Sequence, residues 1–284
     1  EDISTGKDLR APSDDPLGAS RAVVLRALLG RAEQYGRNVE DARDWLRATE
    51  AALSDVKDIL FKAKDIALRG ANEAVSQDAR DALAYEVNQL LEELLRLSNE
   101  THEGKFIFAG YRTSERPFEF DYGGGPLPVG VKYNGDGGAK QIETEPGVII
   151  QMNIPGGSVG SPPSEGAFID ESKGINFFRA LIDLRDHLMT GDTAGLDGDI
   201  GVLDTCIDKV SETIGQLGSR AARLDRTRER LEGEKIRLAE MLSKAEDTDI
   251  AKAAVTLEMQ QVIYKAALGA AAQIIRPTLL DFLR

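Results

Sequence analysis

The sequence is short of rings: aromatic residues make up 6% of its 284 positions, with a single Trp. A core of that size ordinarily uses more of them, because each ring buries a large area. One Cys excludes an internal disulfide framework. No stretch reaches the roughly 18 uncharged apolar residues that a spanning helix needs, so membrane insertion is not expected. Cations are also in deficit, 35 Lys and Arg against 48 Asp and Glu. The net charge of −13 argues against a nucleic-acid partner, whose phosphates demand surplus cations. The opening Glu1-Asp2-Ile3-Ser4 is not a basic and apolar signal segment, and the absence of an initiator Met reads as a shortened chain.

Glycine and proline are scarce except in one place. From Gly104 to Gly174 lie 15 of the 28 Gly and 7 of the 10 Pro. The β-like runs Lys105–Phe108, Pro117–Phe120, Val129–Tyr133 and Val148–Ile154 fall here, separated by Asn134-Gly135, Gly137-Gly138 and Gly156-Gly157. This is the composition of a small antiparallel β insert. The flanks are helical, and the expected fold is mostly α with a small β insert: an elongated antiparallel long-helix bundle plus an antiparallel β domain. The boundaries fall at 1–103 and 175–245 for the two parts of the helical core, 104–174 for the insert and 246–284 for a terminal helix.

What the flanks do have is heptads. Leu25, Ala32, Val39, Leu46, Leu53, Leu60 and Ala67 recur every seven residues. Leu28, Tyr35, Ala42, Thr49, Val56 and Ala63 stand three further on, which predicts one helix from Leu17 to Leu68, roughly 80 Å long. Ser13, Asp14, Asp15 and Pro16 form its starting turn, with cap-type side chains followed by a Pro suited to the first helical position. Gly70 and Asn72 stop it, and Ser76 with Asp78 opens a second helix lined by Leu83, Val87, Leu90, Leu94 and Leu97. After the insert a helix runs to Met189, then a loop from Gly191 to Gly201. The second long heptad follows: Ile200, Ile207, Ile214 and Ala221, with Leu203, Val210, Leu217, Leu224, Leu231 and Leu238. Arg228 and Lys235 continue the first of these series, either fixing register or lying as stems on the surface.

The segment from Ile250 to Arg284 is apolar around much of its circumference. Such a helix must be buried on several sides, inside the monomer or by other subunits. Its composition and terminal position favour assembly, and the candidate contacts are Leu257, Val262, Ile263, Leu268, Ile275, Leu280 and Leu283. Reactive groups are sparse by contrast. His102 and His187 lack metal-ligand spacing and are expected on helix surfaces; Cys206 is expected as a small packing residue. Gly123-Gly-Gly125 precedes no helix, so it is no phosphate cradle. Asn134 to Glu145 lacks an acidic ligand and the sixth-position Gly of a calcium loop. Asn99-Glu-Thr101 fits a glycosylation sequon, a weak match. No catalytic, metal or cofactor residue is assigned.

Several stretches carry a resemblance. Ile3-Ser-Thr-Gly-Lys-Asp-Leu-Arg10 with Ala11-Pro-Ser-Asp-Asp-Pro16 looks like the start of the first long helix in the flagellin superfamily. Pro-Ser-Asp-Asp-Pro is closer to its hook-filament junction family, hook-associated protein 3. Asn38–Ala42, Thr49–Leu53, Ala67–Asn72, Lys105–Tyr111 and the stretch from Ala245 to Arg284 are similar as well. The resemblance implies a flagellin-like core with an outward β domain, in an extracellular structural subunit of the bacterial flagellum. It implies export through the flagellar type III secretion system. It implies four partners: other copies in an annular layer, the hook-side junction protein (hook-associated protein 1), flagellin and an export chaperone. In that family the two ends of the chain pair in an inner coiled-coil tube. The match begins inside the usual N-terminus, so the tail's chain partner is expected to be missing and the chain monomeric at low concentration. A flagellin, or a generic coiled-coil adaptor, is the alternative reading.

Overall fold

The computed structural model describes residues 15–159, 165–247 and 249–280, with side chains described as far as residue 271. Two units form: a larger one, Tyr35–Arg230, and a smaller one made of Glu1–Gln34 and Leu231–Arg284. Helices α1 (Pro16–Gly70) and α4 (Thr193–Glu246) contribute to both. Helices α2 (Gln77–Ser98) and α3 (Phe177–Thr190) belong to the larger unit, and α5 (Ile250–Leu280) to the smaller.

In the larger unit the α1 heptad folds as its spacing predicts. Val39, Leu46, Leu53, Leu60 and Ala67 are buried, as are Ala42, Thr49, Val56 and Ala63. A further row, Trp45, Ala52, Ile59 and Ile66, is buried too. The apolar face is therefore wider than a two-helix seam and serves more than one neighbour. Helix α4 runs antiparallel to it. Arg43 pairs with Asp225 at 2.6 Å, and from there 21 residues forward on α1 (43 to 64) and 21 back on α4 (225 to 204) reach the Lys64–Asp204 pair at 2.5 Å.

Two features of α4 differ from expectation. The segment from Gly191 to Gly201 is not a loop, for the helix begins at Thr193. Asp192 starts it, its side chain accepting from Gly195 N–H and its carbonyl from Leu196 N–H, both at 3.0 Å, and buried Leu196 anchors the first turn. The buried stripe is also turned. Leu203, Val210, Leu217 and Leu224 are buried, but Ile200, Ile214 and Ala221 are only half-buried. The companions inside are Asp199, Cys206 and Thr213, each four residues before a buried Leu or Val, beside Ile207. Arg228 is half-buried, in keeping with a stem along the surface.

Helix ends meet at one end of this unit and satisfy one another's orphan carbonyls. Buried Arg80 donates to the Gly70 carbonyl at 3.0 Å and the Asn72 carbonyl at 3.1 Å. Gln77 donates to the Leu188 and Met189 carbonyls, each at 3.0 Å. Gly70 ends α1 where a Cβ would lie 2.4 Å from the Leu188 side chain, so Gly leaves the room that Leu188 of α3 occupies. Ser76 caps α2 and Asn176 caps α3, each accepting from the amide three residues on.

Between α2 and α3 lie four two-stranded antiparallel hairpins. They are β1 (Thr101–His102) with β2 (Lys105–Phe106), β3 (Phe118–Asp121) with β4 (Gly130–Tyr133), β5 (Gln141–Glu145) with β6 (Val148–Gln151), and β7 (Ile169–Asp170) with β8 (Ile175–Asn176). The scarce rings are spent here. Phe118 stands 4.9 Å from Tyr133, 5.4 Å from Phe168 and 5.3 Å from Phe178, and Phe108 stands 4.8 Å from Phe168, centroid to centroid. Phe177 and Phe178 come from the start of α3, so one ring cluster joins module and helix. A second link is Trp45 of α1. The Lys140 ammonium lies 4.2 Å from its ring centroid and the His102 ring meets it edge-on at 5.9 Å.

The smaller unit has a thinner core. Ala22 and Ala32 of α1, and Leu231 and Leu238 of α4, are its buried apolar residues among those described. Lys235 is half-buried. Arg26 pairs with the buried carboxylate of Glu246 at 2.6 Å. Asp15 accepts from Leu17 N–H at 3.0 Å with Pro16 at the first helical position, while Ser13 and Asp14 lie outside the described residues.

Candidate assembly site

Helix α5 opens with a cap: the Asp249 side chain accepts from Ala251 N–H at 3.0 Å and Lys252 N–H at 3.1 Å. Good helix formers then carry it on, chiefly Ala, Leu, Met, Gln and Lys. Its apolar side chains are uncovered. Leu257 is 46% exposed, Val262 61%, Ile263 60% and Leu268 54%. At 100° per residue the exposed apolar positions fall on two opposite sides. Ile250, Leu257, Tyr264 and Leu268 line one; Val255, Met259, Val262 and Ile263 line the other. Ile275 and Leu280 belong to the same helix with side chains outside the described residues, and Leu283 lies outside them altogether. No helix among the described residues is long and apolar enough to cross a membrane.

The chemistry-bearing residues are mostly committed to structure. Cys206 is buried and burial pushes its thiol up to about 12, so it stays protonated and inert. His102 is not on a helix but in β1, its ring against Trp45. His187 does lie on α3, yet its Nδ1 is 2.7 Å from Asp199 of α4, and that carboxylate raises its pKa. The Asp199 carboxyl is itself raised by burial, which the facing imidazole opposes. Asn99 offers no free amide for a glycan: its side chain donates to the Leu95 and Phe118 carbonyls and accepts from Phe118 N–H. Asp136, within the stretch compared with a calcium loop, accepts from Tyr111 and Gly138 amides, a turn role. No cluster of three or more His, Cys, Asp or Glu among the described residues is placed to hold a metal.

Sequence reasoning missed one polar constellation. Lys209 is buried, its ammonium 2.8 Å from buried Asp170 at the end of β7. Ser172 donates to the same carboxylate, and despite burial these partners hold the Asp170 carboxyl below its usual range. The available signal was the helical spacing of Lys209, Thr213, Gln216 and Arg220, polar positions on one side of α4.

Long paired helices, an inserted module of small antiparallel hairpins and a terminal helix left uncovered by the described residues define the class: a long-helix protein carrying an inserted β module. The chain belongs to the flagellin family. Residues 1–113 match the bacterial flagellin N-terminal helical region and residues 200–283 the C-terminal helical region. Within that family it is 36% identical over 125 residues to flagellar hook-associated protein 3 of Salmonella typhimurium, 44% of this chain and 39% of that one. The chain thus spans well under half of that relative's length. A flagellin of Halalkalibacterium halodurans is 23% identical over 273 residues, 96% of this chain and 85% of that one. The structure of a flagellar hook-associated protein from Vibrio parahaemolyticus superposes with a TM-score of 0.72 at 19% identity, over 82% of this chain and all of that one.

Proposed function

We propose that this protein is a non-catalytic structural subunit of the bacterial flagellum, forming the junction layer between hook and filament. The observation that carries the reading is α5, a helix whose apolar residues line two sides and are exposed on both. Leaving such surface in water is unfavourable at about 25 cal/mol per Å², and two neighbours are needed to cover two sides. Leu257, Val262, Ile263 and Leu268, continued by Ile275, Leu280 and Leu283, are its contacts with other copies in an annular layer. Hook-associated protein 1 on the hook side, flagellin on the filament side and an export chaperone complete the partners. The subunit reaches the cell exterior through the flagellar type III system. The helical core is residues 1–103 and 175–245, the outward domain 104–174, and the assembly helix 246–284.

Deleting the residues after Asp249 tests this. The shortened protein should keep its helical circular dichroism but fail to incorporate at the hook tip; normal filament attachment would sink the reading. A flagellin would instead polymerise into long filaments, visible by electron microscopy, and a coiled-coil adaptor would stay in the cytosol.

A further inference from the structure

Where α4 meets the β module its surface turns polar. Lys209, Thr213, Gln216 and Arg220 follow one another at steps of four, three and four, which sets them on one side of the helix. With Gln151 and Glu165 from the module side they line a cavity of about 220 Å³. Burying polar side chains costs free energy unless each finds a partner. Most here do. Lys209 is paired with Asp170, and its ammonium lies 3.9 Å from Glu165, a mostly exposed side chain. Thr213 donates to the Lys209 carbonyl at 2.8 Å, and Gln151 donates to the Asn153 carbonyl at 2.9 Å.

Arg220 does not. Its guanidinium is half-buried and, among the described residues, has one hydrogen bond, to the Asn153 carbonyl at 3.5 Å, the long limit for such a bond. No carboxylate among the described residues forms an ion pair with it. Burial lowers its pKa, but a guanidinium starts so high that it stays charged at neutral pH. A permanent cation with most of its five donors unused among the described residues therefore borders a recessed cavity. The Gln216 amide, whose contact to Glu212 is also at 3.5 Å, stands one turn away.

We propose that this cavity binds a small oxyanion, a carboxylate or phosphate group gripped by Arg220, with Gln216 and Lys209 as supporting donors. The planar fork of Arg suits both ligands through paired hydrogen bonds. The volume is below the range of about 300–1,000 Å³ usual for larger ligands, so a nucleotide is excluded while phosphate or a short dicarboxylate fits.

The test is titration of the full chain with inorganic phosphate and, separately, with succinate, at ionic strength held constant with sodium chloride. Calorimetry and the shift in Tm are the readouts. Saturable binding of either anion with Kd in the millimolar range or tighter is expected, and which one binds fixes the ligand's source chemistry. Arg220→Ala should weaken it by about tenfold or more, the loss of a charge-assisted hydrogen bond. Arg220→Lys, which keeps the charge but not the fork, should fall between. If Arg220→Ala fails to fold, Arg220→Lys and Gln216→Ala carry the test and must each weaken binding. No saturation by about 50 mM of either anion, an equal response to chloride alone, or affinity unchanged in these variants would overturn the proposal.

Discussion

Helices α4 and α5 follow one another in the chain and treat apolar side chains in opposite ways. Helix α4 buries Leu196, Leu203, Val210, Leu217 and Leu224 fully in the larger unit, with Cys206, Ile207 and Thr213 buried beside them, and turns mostly polar and charged residues outward. Helix α5 carries apolar residues on two sides and buries none of those described. The difference lies in spacing as much as in content: seven-residue repeats gather a stripe that neighbours within the fold cover, whereas the α5 positions spread over two faces. A single chain thus holds one helix finished by its own fold and another that its described neighbours leave uncovered.

Truncation should separate them most sharply. Leu217→Ala in α4 removes a fully buried side chain and should cost about 2–5 kcal/mol in urea unfolding. Leu268→Ala in α5 should change monomer stability by less than about 0.5 kcal/mol. Equal losses would break the contrast. A smaller effect is expected for Asn99→Ala, which strands polar groups of Leu95 and Phe118 and should cost about 1–3 kcal/mol. Its Tm should fall without loss of helical signal in the folded protein.

The His187–Asp199 contact adds a pH arm on the α4 side. His187 has its folded pKa raised above 6.5, so the contact's contribution is fully present below that value and is lost as pH rises through the folded pKa. The Tm gap between wild type and His187→Gln should therefore narrow as pH rises above about 6.5. A gap that widens with pH would reverse the sign. A small gain is expected as well. Glu103 and Gly104, the two turn residues between β1 and β2, both have positive φ, at 50° and 74°. This turn favours Asn or Gly at the first position, so Glu103→Asn should stabilise by roughly 0.5 kcal/mol in the same urea measurement.

The long helices were legible because their repeats persist: α1 was expected from Leu17 to Leu68 and runs Pro16–Gly70. The orientation of the α4 face was not. A Leu every seven residues accepts companions three before it or four before it, and the choice of Cys206 and Thr213 over Ile214 belongs to the neighbours. Strand β5 escaped notice because Gln141-Ile-Glu-Thr-Glu145 is mostly charged or polar, although Thr144 is buried. The two-residue strands β1, β7 and β8 are too short for any alternation to register. The start of α4 was hidden by Gly195, Gly198 and Gly201, residues that discourage a helix locally but are held in one by Asp192 and Leu196. The apolar character of α5 was readable from composition and its exposure was not, just as the partner-poor Arg220 required knowing what lies across from it.

Trp45 has a practical consequence. It is the one tryptophan of the chain, buried on α1 beneath the Lys140 ammonium and against the His102 ring. Nearly all indole emission therefore arises at the seam between a long helix and the inserted module. Blue-shifted fluorescence reports that the module is seated, and quencher access reports that it has lifted away. Circular dichroism, dominated by the helices, tracks a different event. Followed together during refolding, the two signals time the docking of the insert against the formation of the helices without any added label.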